Sequence, residues 1–210
     1  MQRSGVLNLA TLVLAAALAY SGIHAYDRPT WFLEVAPVLI GLPILYATWK
    51  KFPLTSLLYA LLFAHALVLI LGGMYTYARV PLGFELQHWL GLARNPYDKI
   101  GHFMQGFAPA IVAREILIRG QHIAGRKMLA FVVVCIVLAI SATYELIEWA
   151  AALILGQGAD EFLGTQGDVW DTQGDMFMAL IGSVTALLAL SRWHDRQIHT
   201  LTSIERAQSA

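Results

Sequence analysis

The chain is poor in charge and in cysteine. Only 13% of its 210 residues are Asp, Glu, Lys or Arg, against about 25% in soluble domains. The lone cysteine, Cys135, excludes an internal disulfide. It sits in an apolar run and reads as a small buried hydrophobe. Lys and Arg number 14, as do Asp and Glu, so no basic excess points to nucleic acid. No segment carries a zinc-hydrolase signature such as HExxH. There is no repeat at domain scale and no second domain, so residues 1–210 read as one integral membrane domain.

What fills the chain is apolar surface. Hydrophobic residues make up 58% of it, above the about 45–50% of soluble domains. Six runs suit the roughly 17–25 residues that cross a bilayer. They are about Val6 to His24, Trp31 to Trp49, Phe52 to Tyr77, Tyr97 to Ile118, Met128 to Leu155 and Thr172 to Leu190. The first follows Arg3 and has the look of a signal peptide, but its core is long and five more runs follow, so it reads as a retained helix. The fold class is therefore all-α, polytopic, with six transmembrane helices.

Basic residues orient the bundle. Arg3, Lys50, Lys51, Arg119, Arg126, Lys127, Arg192, Arg196 and Arg206 fall on one side if there are six crossings, which puts both termini in the cytoplasm. The opposite side receives Asp27, Arg28, Glu34 and an acidic stretch that includes Asp160, Glu161 and Asp168. Between helices three and four, PLGFELQHWLGLARN places Leu82, Leu86, Trp89, Leu90 and Ala93 on one helical face. This fits a short outer helix in the membrane interface, or equally a lid packed over the bundle.

Ionisable groups in a membrane are costly, so each is a functional candidate. Asp98, His102 and Gln105 share a face of helix four at i, i+4, i+7, and Glu145 and Glu148 share one of helix five. With Asp171 and Asp175 at the start of helix six, the topology brings them all to the outer half. Neighbouring carboxylates repel when ionised. A proton, a cation such as Lys99 or Arg94, or a divalent Mg, Mn or Zn ion would offset this. Simpler roles are open for each residue. His102 could be a hydrogen-bonded bundle histidine, and the glutamates could pair with Lys99, Arg94 or backbone. His65 reads as a packing or hydrogen-bonding residue, and Tyr144 and Trp149 as interface aromatics.

The acidic stretch TQGDVWDTQGD repeats one tetrapeptide from Thr165 to Asp175. Thr-x-x-Asp fits helix N-capping, with Thr172 capping helix six and Asp175 at its third position. The glycines would permit tight turns. Capping does not account for Asp168, Asp171 and Asp175 together beside two membrane glutamates.

YDKIGHFMQGFAPAIVAREIL, YELIEW and GADEFLGTQGDVWDTQGDMFMALIG resemble the YjdF-like family of bacterial inner-membrane proteins, as do SGIHAYDRPTWFLEV and VPLGF. The resemblance covers nearly the whole chain. It implies a multi-pass inner-membrane protein and no activity. A second resemblance is to VanZ-like membrane proteins, in the order of DKIGHF, then Glu145 or Glu148, then DVWDTQGD. Asp175 stands where that pattern has Asn, and the glycines after it differ. That implies a related polar site.

Three function classes follow. The first is a metal-dependent hydrolase of a lipid or lipid-linked substrate near the outer leaflet. His102, Glu145, Glu148, Asp171 and Asp175 would be its candidate ligands, and Glu148 and Asp175 its candidate catalytic groups. Asp98, Lys99, Gln105 and Asp168 would support the ligands or meet substrate. The second is a cation- or proton-coupled transporter or channel. The third is a non-catalytic membrane factor whose polar site serves fold or partner binding. Membrane lipid is the one partner the composition implies.

Overall fold

Apolar stretches in a bilayer must satisfy their own backbone, and an α-helix does so within one segment. The computed structural model describes residues 2–155 and 165–209. Asp160 and Glu161 lie outside these residues. The described elements are all helical: α1 (Gln2–Ile23), α2 (Arg28–Thr48), α3 (Ser56–Met74), α4 (Pro81–Leu90), α5 (Tyr97–Arg119), α6 (Arg126–Leu155) and α7 (Asp171–Ser209).

Five of them, α1, α2, α3, α6 and α7, are long and apolar enough to cross a membrane. At 1.5 Å per residue α5 is also long enough, about 35 Å, but it carries Asp98, Lys99, His102, Gln105, Arg114 and Glu115. It packs on α3, α6 and α7. The most polar helix is thus the enclosed one, which is where a polar helix costs least in lipid. Leu9, Leu12, Ile40, Ile44, Phe131, Leu146, Phe177 and Leu188 are exposed and form the surface that lipid would cover. Cys135 is exposed as well, so it is not the buried hydrophobe its apolar run suggests.

Several boundaries differ from the sequence expectation. α7 continues past Leu190 to Ser209, because hydropathy falls there but no Pro or Gly interrupts the helix. It also starts at Asp171, so Thr172 lies within its first turn and is not the residue before it. α3 is shorter than its apolar run. Thr55 caps it by accepting from the Leu58 N–H, and Thr76 and Tyr77 take left-handed conformations just beyond it. The short helix α4 is present. Leu82, Trp89 and Leu90 are exposed on it, and Gly91 ends it with φ 62°.

The central crossing, α5 on α7, depends on small residues. A Cβ at Gly106 would collide with the Ala179 carbonyl, and one at Gly182 with the Phe103 carbonyl. The two backbones meet because neither residue has a side chain.

A second link between α5 and α7 lies at the end away from α4. Glu115 is fully buried and accepts from the Thr55 N–H at 3.0 Å, the Thr55 hydroxyl at 2.7 Å and Arg119 at 3.0 Å. His194 Nε2 is 2.9 Å from the same carboxylate, and Arg114 is 2.9 Å from His194 Nδ1. Arginine only donates, so Nδ1 must accept and Nε2–H donates to Glu115. Arg114 also pairs with Asp195. Because the carboxylate and both imidazole nitrogens are satisfied, this cluster reads as a clamp. Gly182→Leu should lower the Tm in detergent, since overpacking costs about 1–3 kcal/mol. Heating followed by fluorescence-detected size exclusion measures it, and Gly182→Ala should lose less.

Candidate functional site

At the α4 end, α5 and α7 meet through charge. Lys99 projects from the first turn of α5, and its Nζ lies 2.8 Å from Asp171 and 2.7 Å from Asp175. A Cβ at Gly174 would come 3.1 Å from that Nζ, so the glycine of the second TQGD leaves room for the ammonium group. Arg94, in the loop before α5, bonds Asp168 at 2.8 Å and Asp171 at 2.7 Å. Burial opposes its charge, but the hydrogen bond and charge of Asp171, then Asp168, outweigh this and raise its pKa.

The first TQGD has a different task. Residues 165–168 form a turn closed by Asp168 N–H to Thr165 C=O, with Gln166 and Gly167 at positive φ. Gln166 exchanges two hydrogen bonds with the Asn95 backbone, 3.1 and 3.0 Å. The Thr165 carbonyl and Asp168 both accept from Arg94. This copy pins its loop to residues 94–95, while the second copy supplies the Asp175 carboxylate to Lys99, beside that of Asp171 just before it.

Behind Lys99 lies the group with ligand geometry. Asp98, His102 and Asp175 are all buried, and one ligand atom from each lies within 4.8 Å of the others. His102 Nδ1 is 3.0 Å from Gln105 Oε1. An amide oxygen only accepts, so Nδ1 carries a proton. Nε2 lies 3.4 Å from Asp98 and 3.7 Å from Asp175. Two carboxylates facing one ring nitrogen call for positive charge there, which a second ring proton, the nearby Lys99 ammonium or a metal ion would each supply. Glu145 is 3.8 Å from His102. Its Oε1 and the Asp98 Oδ2 are buried with no hydrogen-bond partner among the described residues.

Asp98 and His102 also form one wall of a cavity of about 110 Å³ between α2, α3, α5 and α6. Glu148, Glu34 and Tyr77 line it too. Of the candidates read from sequence, the structure gathers Asp98, His102, Gln105 and Asp175 tightly, with Glu145 beside them. Glu148 is across the cavity. Asp171 and Asp168 are held by Lys99 and Arg94, away from the three-ligand group.

Sequence reasoning missed Glu34 and Tyr77. Glu34 is the seventh residue of α2, two turns into an apolar helix, and an acid in that position is itself a signal. Tyr77 is buried, and burial first, then the Glu34 charge, raises its pKa, so its phenol remains a hydrogen-bond donor. Tyr144 is not an interface aromatic. It lines the cavity, and its hydroxyl donates to the Leu33 carbonyl at 2.6 Å. Pro37 lacks the N–H that would otherwise take that carbonyl. Trp149 is exposed, as an interface residue would be.

The profile of the family described as "Predicted membrane protein (DUF2238)" matches residues 6–196. The chain belongs to this family. The inner membrane protein YjdF of Escherichia coli (strain K12) is 61% identical to it over 193 residues, which cover 92% of each chain. No solved structure matches it. In this DUF2238 protein the polar group is built on α5 and α7, both within the matched region.

Lys99→Met in the DUF2238 chain should lower the Tm sharply, because removing one partner of a buried pair costs about 3–5 kcal/mol. Adding Asp175→Asn should restore part of the loss. A double-mutant cycle on thermal melts in detergent measures both effects.

Proposed function

We propose that the chain is a multi-pass bacterial inner-membrane hydrolase that uses a divalent metal on a lipid or lipid-linked substrate. The observation that carries this reading is the convergence of Asp98, His102 and Asp175 on one point, with Asp98 and His102 at the edge of a cavity that Glu34 and Glu148 also line. The carboxylates Glu34, Asp98, Glu145, Glu148, Asp171 and Asp175 outnumber the permanent cations Arg94 and Lys99, and both cations are already paired. A divalent ion offsets that excess better than a proton shared among so many groups.

Six crossings follow if α5 spans with its neighbours, and the distribution of Lys and Arg then puts both termini in the cytoplasm. The site faces the outer leaflet, with α4 lying in the interface beside it. E. coli YjdF is named as an inner membrane protein, which supports the same membrane for this chain. A bound metal lowers the pKa of its water toward neutrality. Asp98, His102 and Asp175 would hold such an ion, and Glu148, on the opposite wall of the cavity, would serve as general base toward a water and as general acid toward the leaving oxygen.

A path for ions gains less support. His65 and Glu115 are separated along α3 and α5 by an apolar layer in which Leu58 and Ile111 are fully buried.

The test is metal content and turnover together. Protein purified in mild detergent should hold close to one equivalent of Mg, Mn or Zn by elemental analysis. His102→Ala and Asp175→Asn should lose it. Glu148→Gln should keep the metal and lose hydrolysis of a bacterial polar lipid extract by about 100-fold or more. Absence of metal in the wild type, with no stabilisation by any of the three ions, would sink the reading.

A further inference from the structure

A second space lies between α4, α5 and α7, apart from the cavity that Asp98 and His102 line. Leu86 and Leu90 of α4 form one wall, and Ile100 and Phe103 of α5 with Met178 of α7 form the other. Pro96 and Lys99 close the end nearer the start of α5. No polar atom faces the space, so Lys99 gives it only its methylene stem. The ammonium is turned to Asp171 and Asp175. By helix rise, Phe103 is about 9 Å from Tyr97 and Met178 about 10 Å from Asp171. The groove thus runs inward from the starts of both helices for about a third of a hydrocarbon core of about 30 Å.

The groove is held open from outside. α4 packs extensively on no other described helix, and both its ends are tied to the loop that follows it. Asn95 donates to the Val80 carbonyl at 3.0 Å, and Gln87 donates to the Ala93 carbonyl at 3.3 Å. The Asn95 amide also sits where a Cβ on Gly83 would be. Gln166 in turn fixes the Asn95 backbone, at 3.1 and 3.0 Å. These ties set α4 at a distance that leaves the space between Leu86 and Phe103 unfilled by any described residue. An unfilled apolar space loses the packing contacts of its lining. Water does not restore them, because a buried water needs about 2–4 polar partners and the groove offers none. A helix with its side chains is about 10–12 Å across, too wide for a space of this size. A single hydrocarbon chain fits: about 280 Å³ holds roughly nine groups the size of a water, about 30 Å³ each, and a methylene is of that size.

We propose that this groove holds one acyl chain of a membrane phospholipid, with its tail at Phe103 and Met178 and its polar end beyond Pro96 and Lys99. That direction is the one a lipid of the leaflet on the α4 side takes in the bilayer. Leu90, which is exposed, edges the open side through which the chain slides in. Lys99 joins the groove to the three-ligand group, because its stem lines the one and its ammonium bonds Asp175 of the other. A seated lipid therefore has the linkage between head and chain beside the residue that pairs with Asp175. As a binding site the groove needs no metal. As the place of a substrate's chain it rests on the hydrolase reading, and the experiment reads the two apart.

The test uses phosphatidylethanolamine that carries a photoreactive diazirine midway along one acyl chain. Full-length protein is reconstituted with this probe in vesicles of phosphatidylethanolamine and phosphatidylglycerol, irradiated, and mapped by mass spectrometry. In the wild type, labels should concentrate on Leu86, Phe103 and Met178, about tenfold above the lipid-facing Leu9 and Leu188, the excess of a held chain over a passing one. Leu86→Trp, which fills the groove from α4, should lower the groove labels about tenfold, the equivalent of a modest overpacking cost. Leu82→Trp, on the exposed side of α4, should leave them unchanged. Labels on Leu9 and Leu188 should be the same in all three proteins. Equal labelling of groove and lipid-facing residues in the wild type overturns the proposal without need of a variant. Groove labels that persist in a folded Leu86→Trp overturn it as well, and if that variant misfolds, Met178→Trp fills the groove from α7 instead. Metal and turnover are measured on the same samples. Groove labelling with no metal and no turnover overturns the hydrolase reading and leaves the groove. Metal and turnover with no groove labelling do the reverse.

Discussion

The ammonium group of Lys99 lies between Asp171 and Asp175, 2.8 and 2.7 Å away, and the rest of the site depends on it. Carboxylates at a membrane helix terminus are expensive when unpaired. By holding two of them, Lys99 fixes the rotation of α7 against α5. That rotation brings Asp175 to Asp98 and His102. The glycines make the pairing possible: Gly174 leaves room for the ammonium, and Gly106 and Gly182 let the two backbones come close enough for a lysine stem to span the gap.

The same two helices are tied at the other end by Glu115, His194 and Arg114. The two clusters differ in one physical respect. In the Glu115 cluster the buried carboxylate and the imidazole are fully partnered, which marks a structural clamp. Near His102, oxygens of Asp98 and Glu145 are left over, and so is His65 Nε2 deeper in the cavity. Buried polar atoms without a hydrogen bond ask for an explanation that fully partnered ones do not. Proline shapes the space between. Pro37 frees the Leu33 carbonyl, Tyr144 takes it, and α2 and α6 are joined there while remaining apart below.

Hydropathy located the long helices to within a few residues at most ends, and failed at the end of α7. There the apolar signal stops at the membrane boundary while helix propensity does not. Asp98, His102, Glu145 and Asp175 lie near one another at one end of the helices. Chain direction could not tell which carboxylates meet His102 and which pair with Lys99 and Arg94. Asp171 and Asp175 are four residues apart in identical-looking surroundings, yet Asp171 is taken by Arg94 and Lys99 while Asp175 also faces His102. Nor does it pick out Glu34, which is counted with Asp27 and Arg28 by charge although it lies inside the second apolar run; the cap at Asp27 puts it two turns into α2.

What the sequence by itself determined is the class of molecule, the number of apolar runs and the common depth of the charges, because these follow from composition and from one-dimensional periodicity. What only the tertiary structure decided is which side chains meet. That depends on helix rotation and on the close approach that a few glycines allow, and neither leaves a trace in hydropathy. The repeated TQGD shows the difference. Its two copies are identical as text, but one pins a loop to Asn95 and the other supplies the Asp175 carboxylate to Lys99, because one lies in a turn and the other in the first turn of a helix.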